Sequence, residues 1–231
     1  MLIGITGKIG SGKSIICDEF KNAGFIEDNF ANSLKQIGEI IGFEHYQLYG
    51  TQEQKLEINN KWNISGREFM QKFGTELCRN QLKQTIPNMK FDDNNTIWVQ
   101  IIKNKINNEY KNKNIIIGDC RFLDEAKMIK DNGGIIIKII RDNTDEYKNS
   151  DMVNNINHEK FHASNNINHE KFHASNNINH EKFHASEIIM NDIIPDIIIN
   201  NNKDLLTYRN KIKYIINNIN ELYNRNELFS I

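Results

Sequence analysis

The 231-residue chain has the size of one domain with room for a substantial insertion. Its 29 basic and 30 acidic side chains nearly cancel to a formal charge of −1, so no whole-protein field draws it to polymeric nucleic acid or to an anionic membrane. About a third of the residues are Ile or Asn against only two Pro, a skew that low-GC coding produces, so single Asn or surface Ile residues carry little functional weight.

Leu2–Thr6 reads as a short apolar strand directly after Met1, with no charged n-region or cleavage site, which predicts a soluble protein of the cytoplasm. A Gly-rich turn then leads into a helix from about Lys13 to Ala23. Ala31–Ile41 has helical spacing at Leu34, Ile37 and Ile41. Ser65 and Glu68 form a capping-box pattern for a helix through about Gln81 that buries Phe69, Phe73 and Leu77. Ile97, Trp98, Ile101, Ile102 and Ile106 predict another amphipathic helix. Asn114–Asp119 and Ile135–Ile140 read as buried strands, separated by a helix over Asp124–Asn132 that Gly133 and Gly134 close. Ile197–Asn200 reads as the last strand, before a long helix over about Lys203–Asn224 with Ile212, Ile215, Ile216, Ile219 and Leu222 inward. Strands alternating with helices predict an α/β fold with a parallel sheet flanked by helices. Cys17, Cys78 and Cys120 are odd in number and lack metal-type spacing, and read as reduced thiols.

The strongest local signal is Gly7-Lys8-Ile9-Gly10-Ser11-Gly12-Lys13-Ser14, which fits G-x-x-x-x-G-K-[ST] between a strand and a helix. Here glycines let the backbone wrap a phosphate chain, and the amides of Gly10, Ser11 and Gly12 at the helix start supply donors. The pattern assigns Lys13 to the β- and γ-phosphates of ATP and Ser14 to Mg²⁺. Such a loop says NTP binding without naming the acceptor. No GTPase switch or base-recognition motif is evident and the chain is short for a motor, so a small kinase is expected.

Three more segments combine polar and aromatic groups: Phe30-Ala31-Asn32-Ser33-Leu34-Lys35, Gly66 to Arg79 (GREFMQKFGTELCR), and Asp119-Cys120-Arg121-Phe122-Leu123-Asp124-Glu125-Ala126. With the phosphate loop, Trp98-Val99 and the Gly133-to-Arg141 stretch, their order resembles the deoxynucleoside monophosphate kinases of bacteriophages and large DNA viruses. The resemblance covers most of Met1–Arg141; beyond it, His184-Ala185-Ser186-Glu187 and Asp196–Asn200 look familiar. It implies a P-loop kinase fold with a helical acceptor-binding region and a lid, ATP and Mg²⁺ as cofactors, and a host-cytoplasm setting if viral. It also implies that Lys8, Ala31, Lys35, Gly74 and Thr75 line the acceptor site. A homodimer stays open, as do a dephospho-coenzyme A kinase and an NTP-binding module without catalysis.

The residues themselves agree with a nucleotide acceptor, which needs cations around its phosphate and stacking around its base. Arg67, Arg79 and Arg121 are the natural phosphate clamps, and Phe30, Phe73 and Trp98 are candidate base platforms. Asp119 stands at the carboxyl end of a buried strand, the rim where parallel sheets bind ligands, and Glu125 follows close by. Both carboxylates could instead cap or charge the helix start near Asp124. Lys13 and Mg²⁺ would neutralise the donor, Lys8 and Arg121 the meeting phosphates, with Arg141 contributing from the base of a lid.

An 11-residue unit, NNINHEKFHAS, occurs three times in succession over Asn154–Ser186. Without two copies the chain falls to about 209 residues, comfortable for one α/β domain, so the repeat reads as an insertion in the lid region of a single domain over 1–231. At 100° per residue the Ile and Phe of each unit lie about 140° apart and share no helical face. Each unit carries His-Glu-x-x-His, beginning at His158, His169 and His180, a zinc-peptidase spacing. No third ligand is evident, so adventitious metal binding is the expectation. His184 and Glu187 are the repeat-edge residues with a claim to a lid role.

Overall fold

The computed structural model describes residues 1–92, 95–142, 190–223 and 229–231. The triplicated repeat, its His-Glu-x-x-His units, His184, Glu187 and the lid expectation lie outside the described residues.

The chain begins with β1 (Leu2–Thr6), α1 (Lys13–Asn22), β2 (Ile26–Asp28) and α2 (Asn32–Ile41). Two short helices, α3 (His45–Tyr49) and α4 (Gln52–Leu56), and a small antiparallel pair, β3 (Ile58–Asn59) and β4 (Ile64–Ser65), follow. A continuous helical stretch comes next: α5 (Gly66–Phe69), a π-helix (Met70–Gln81) and α6 (Leu82–Thr85). Then come α7 (Ile97–Asn108), β5 (Ile115–Ile117), α8 (Leu123–Asp131), β6 (Ile135–Ile140), β7 (Ile197–Asn200), α9 (Leu205–Tyr223) and β8 (Phe229–Ser230). Six strands form one parallel sheet in the order β2-β5-β1-β6-β7-β8. The fold is therefore α/β with helices on both sheet faces. Ile197–Asn200 is not the last strand, because the end of the chain returns to the sheet edge through β8.

The two cores follow from the period of two along each strand. Ile3, Ile5, Ile116, Ile135, Ile137 and Ile139 face α1 and α9, packing with Phe20, Tyr208, Ile212 and Ile215. Leu2, Ile115, Ile117 and Ile136 face the opposite layer, with Leu34, Phe69, Trp98, Ile102 and Ile129. On that second face Gly4 leaves the space that α8 uses, since a Cβ there would lie 2.5 Å from Ile129 Cδ1.

The Ser65 cap forms as expected, with its hydroxyl accepting from the Glu68 N–H at 3.1 Å. Leu77 corrects the expected inner face: it is 41% exposed, and the buried positions are Phe69, Gly74 and Cys78. A π-helix bonds i to i+5 and so takes more residues per turn than an α-helix. That wider turn moves the stripe from a spacing of four to one of five and then four. Among the described residues no helix is long and apolar enough to cross a membrane.

Candidate functional site

The connections leaving β1 and β5, neighbours in the sheet, run to opposite sides: β1 leads through α1 to β2, and β5 through α8 to β6. The carboxyl ends of such a strand pair diverge into a crevice, the usual ligand site of an open parallel sheet. The phosphate loop leaves β1 there, and Asp119 to Arg121 leave β5.

The loop from Gly7 to Gly12 runs directly into α1. Gly12 has φ +106°, and a Cβ on it would lie 2.7 Å from Asn201 Nδ2. Only glycine suits that left-handed, crowded position. Residues far along the chain brace the loop: Asn201 Nδ2 donates to the Ser11 carbonyl at 2.8 Å, and the Tyr208 hydroxyl to the Gly12 carbonyl at 3.1 Å. Lys13 Nζ reaches back to the carbonyls of Gly7 (2.5 Å) and Lys8 (2.7 Å), which holds the ammonium over the loop. Arg141 lies on the same loop, its Nη1 donating to the Gly10 carbonyl at 3.3 Å. Ser14 is exposed on the first turn of α1. The Thr6 and Ser11 hydroxyl oxygens are buried without a hydrogen-bond partner. Orphaned hydroxyls in a glycine cradle under a helix start suit an oxyanion chain. Lys8 is half-buried, with Lys138 close enough for their charges to interact.

On the other side of the crevice, Asp119 ties β5 to the start of α2, accepting from the N–H of Phe30 (2.8 Å) and of Ala31 (3.0 Å). Burial raises its pKa, while those two N–H groups, Arg121 and Lys35 pull it back. Lys35 follows one turn into α2, its ammonium 4.6 Å from the Tyr49 ring centroid. Burial lowers the Lys35 pKa, with Asp119 acting against the shift and Arg121 for it. Lys55 on α4 has its pKa lowered by burial first and then by Lys35, Arg67 and Arg121. Lys35, Lys55, Arg67 and Arg121 thus lie close enough for their charges to act on one another, and Gln52, one turn before Lys55 on α4, accepts from Arg67. Arg67 donates to Gln52 Oε1 through Nη2, whereas its buried Nε has no partner.

Glu125 sets the direction of this loop. Its Oε2 accepts from the N–H of Arg121 (2.8 Å) and Phe122 (3.1 Å), which caps α8, and its Oε1 meets Arg79. Burial pushes its pKa up to about 8 against the pull of the Arg79 guanidinium. The capping alternative raised for Glu125 is the arrangement observed.

Three residues expected at the acceptor site lie elsewhere in the structure. Arg79 is not turned to the cation pocket: Nη1 binds both oxygens of Asp124 at 2.7 and 2.8 Å, Nη2 meets Glu125, and the guanidinium lies 3.7 Å from the Phe122 ring centroid. It is a clasp between the π-helix and α8, because its one cation already faces two carboxylates. Trp98 is 5% exposed and its indole N–H donates to the Gly74 carbonyl at 2.8 Å, so its ring belongs to the core. Phe30, 4% exposed, is likewise a core residue. Phe73 remains half-buried, stacked on Phe69 at 5.2 Å, and keeps a face outside the core. Gly74 is packed so that a Cβ would lie 2.3 Å from Leu34 Cδ2, and Thr75 next to it is half-buried.

Lys55 is the residue that sequence reading missed, and α4 with it. The signal was present: Glu44-x-x-Gln47 and Thr51-x-x-Gln54 are capping patterns, and both form, Gln47 Oε1 accepting from Glu44 N at 3.1 Å and Gln54 Oε1 from Thr51 N at 2.8 Å. The three cysteines are free and buried, and burial pushes the Cys17 thiol up to about 12. Among the described residues no group of three His, Cys, Asp or Glu side chains could hold a metal ion.

Comparison with known proteins gives two matches. The family model described as deoxynucleotide monophosphate kinase matches residues 13–153. A protein of Acanthamoeba polyphaga mimivirus, provisionally named a deoxynucleotide monophosphate kinase, is 35% identical over 147 residues, covering 61% of this chain and 74% of its own length.

Proposed function

Because the chain belongs to the deoxynucleotide monophosphate kinase family, we propose that it transfers the γ-phosphoryl group of ATP, with Mg²⁺, to the phosphate of a deoxynucleoside monophosphate, giving the diphosphate. What supports this reading is a phosphate-loop cradle leaving β1 and, beside Asp119 after β5, a second set of cations whose charges act on one another. A simple NTPase needs only the first.

Bound ATP with Mg²⁺ would supply the transferable phosphoryl group and neutralise part of its charge. The loop amides and the start of α1 would hold the phosphate chain, and Lys13, whose ammonium lies over the loop, would bind the terminal phosphates. Ser14, exposed on the first turn of α1, would be the residue that holds the metal ion. Arg141 covers the loop from above. Arg67, Lys35 and Arg121 hold the acceptor phosphate, and Lys8 with Arg121 neutralises charge between the two. Asp119 acts through the backbone of Phe30 and Ala31, and Glu125 through the backbone of Arg121; both are positioning residues. Phe73, with Gly74 and Thr75, offers a wall for the base.

No general base is required. A phosphate monoester has a second pKa near 6, so the acceptor oxygen is already largely ionised at pH 7. Catalysis is then alignment and charge neutralisation.

A panel of dGMP, dTMP and dCMP with ATP and Mg²⁺, read by ADP release against the matching deoxynucleosides, tests the reading. At least one monophosphate should be turned over and no deoxynucleoside should be. Release with dephospho-coenzyme A alone, or with none of these acceptors, would overturn it.

A further inference from the structure

We infer that Lys55, carried by the short helix α4, is a specificity-determining residue of the acceptor site, completing with Lys35, Arg67 and Arg121 a four-cation pocket that selects a phosphomonoester dianion. The inference rests on the acceptor reading above and adds a residue to it.

The position of Lys55 is built, not incidental. Gln47 and Asn59, 2% and 6% exposed, hold the α3–β3 region together, Asn59 Nδ2 donating to Gln47 Oε1 at 2.8 Å and to the Gly42 carbonyl at 3.1 Å. Helix α4 starts at the Thr51–Gln54 capping pair, and its Gln52 accepts from Arg67, so α4 is fastened to α5 at the pocket itself. That fastening leaves Lys55 half-buried, with no ion pair or hydrogen bond among the described residues. The charges that act on it, Lys35, Arg67 and Arg121, are all positive. A lysine of this kind normally turns to water or finds a carboxylate.

Like charges gathered in a partly desolvated place destabilise the protein that carries them. Such a cost is commonly retained where a ligand of opposite charge offsets it. Asp119 and Glu27 already act on Lys35, and Asp119 on Arg121, yet the four cations keep a positive surplus that a compact dianion matches. The unpartnered Nε of Arg67 supplies a donor for its oxygen. A phosphate monoester near pH 7 has this charge and three acceptor oxygens.

The test compares the full chain with Lys55→Gln and Lys55→Arg. Without ligand, Lys55→Gln should raise the thermal midpoint by about 2 °C, because repulsion is relieved, and Lys55→Arg should not. With the deoxynucleoside monophosphate that is turned over, Lys55→Gln should raise the acceptor KM about 10- to 100-fold, leaving kcat and the ATP KM within about twofold. Lys55→Arg should recover most of the loss. Should no monophosphate be turned over, the acceptor reading fails by itself, and inorganic phosphate decides the Lys55 assignment. Measured in a Lys13→Ala background to weaken the phosphate loop, the midpoint rise produced by phosphate should persist with Lys55 and vanish with Lys55→Gln. An unchanged acceptor KM, or an unchanged phosphate response in that background, overturns the assignment.

Discussion

The Arg79 side chain is 8% exposed and faces Glu125, itself 3% exposed, with Asp124 on its other side. Removing the guanidinium takes from Asp124 and the buried Glu125 the group that both bind, so Arg79→Ala should cost about 3–5 kcal/mol in urea unfolding at pH 7. Any fraction that remains folded should keep an acceptor KM close to that of the parent. Arg121→Ala should do the reverse, with little change in stability and a large rise in acceptor KM. The contrast shows how far residue identity can be read without coordinates. Arg67, Arg79 and Arg121 look alike in sequence, as cations in segments that resemble a kinase. What separates them is whether a carboxylate reaches the guanidinium first, and Asp124 lies 45 positions away from Arg79. Phe30 and Trp98 mislead for a related reason: an aromatic ring fits a core and a base-binding wall equally well.

The elements that position the crevice were legible where their pattern is long and regular. Strands β1, β5 and β6 and helices α1, α2, α7, α8 and α9 follow from apolar periodicity and caps. Strand β5 is as short as β2 but consists of three isoleucines, whereas β2 has one apolar residue beside two acids; α3 and α4 are too short to show a period, and the π-helix obeys a period that α-helical counting does not test. Gly74 gives that register a direct test. Gly74→Ala brings a methyl to 2.3 Å from Leu34 Cδ2, and the overpacking should cost about 1–3 kcal/mol, measured by chemical denaturation. At the end of β2, Asp28 gathers Lys105 Nζ and the Tyr110 hydroxyl, both at 2.9 Å, with Asn32 Nδ2 at 2.7 Å and the Asn29 N–H at 2.8 Å. Burial alone would raise its pKa, but these donors hold it below the usual carboxylate value. A depressed folded pKa contributes stability that is fully present above the unfolded value, near 4, and is lost as pH falls through the folded one. The parent should therefore lose more stability than Asp28→Asn between about pH 5 and pH 2.

At the scale of the whole molecule, near-zero net charge conceals a local surplus, where Lys35, Lys55, Arg67 and Arg121 lie close enough for their charges to interact. The described residues that flank the repeat are anchored: Asn201 N donates to the Ile140 carbonyl at 2.7 Å, Asp142 N to Asn202 Oδ1 at 2.8 Å, and Met190 and Ile193 are buried in the core. Anchors that lie outside the repeat make its length a minor matter, because loop-closure entropy changes only slowly with loop length. Deleting Asn154–Ser175 should leave the denaturation midpoint nearly unchanged and preserve much of the activity; an unfolded product would refute the reading of the repeat as an insertion. The central claim concerns where the phosphoryl group goes. ATP labelled at the γ-phosphate, incubated with Mg²⁺ and the deoxynucleoside monophosphate that releases ADP, should place its label on the β-phosphate of the deoxynucleoside diphosphate, and Lys13→Ala should abolish that product. Label recovered solely as inorganic phosphate would contradict the account, because it would mean that the two phosphate sites do not meet.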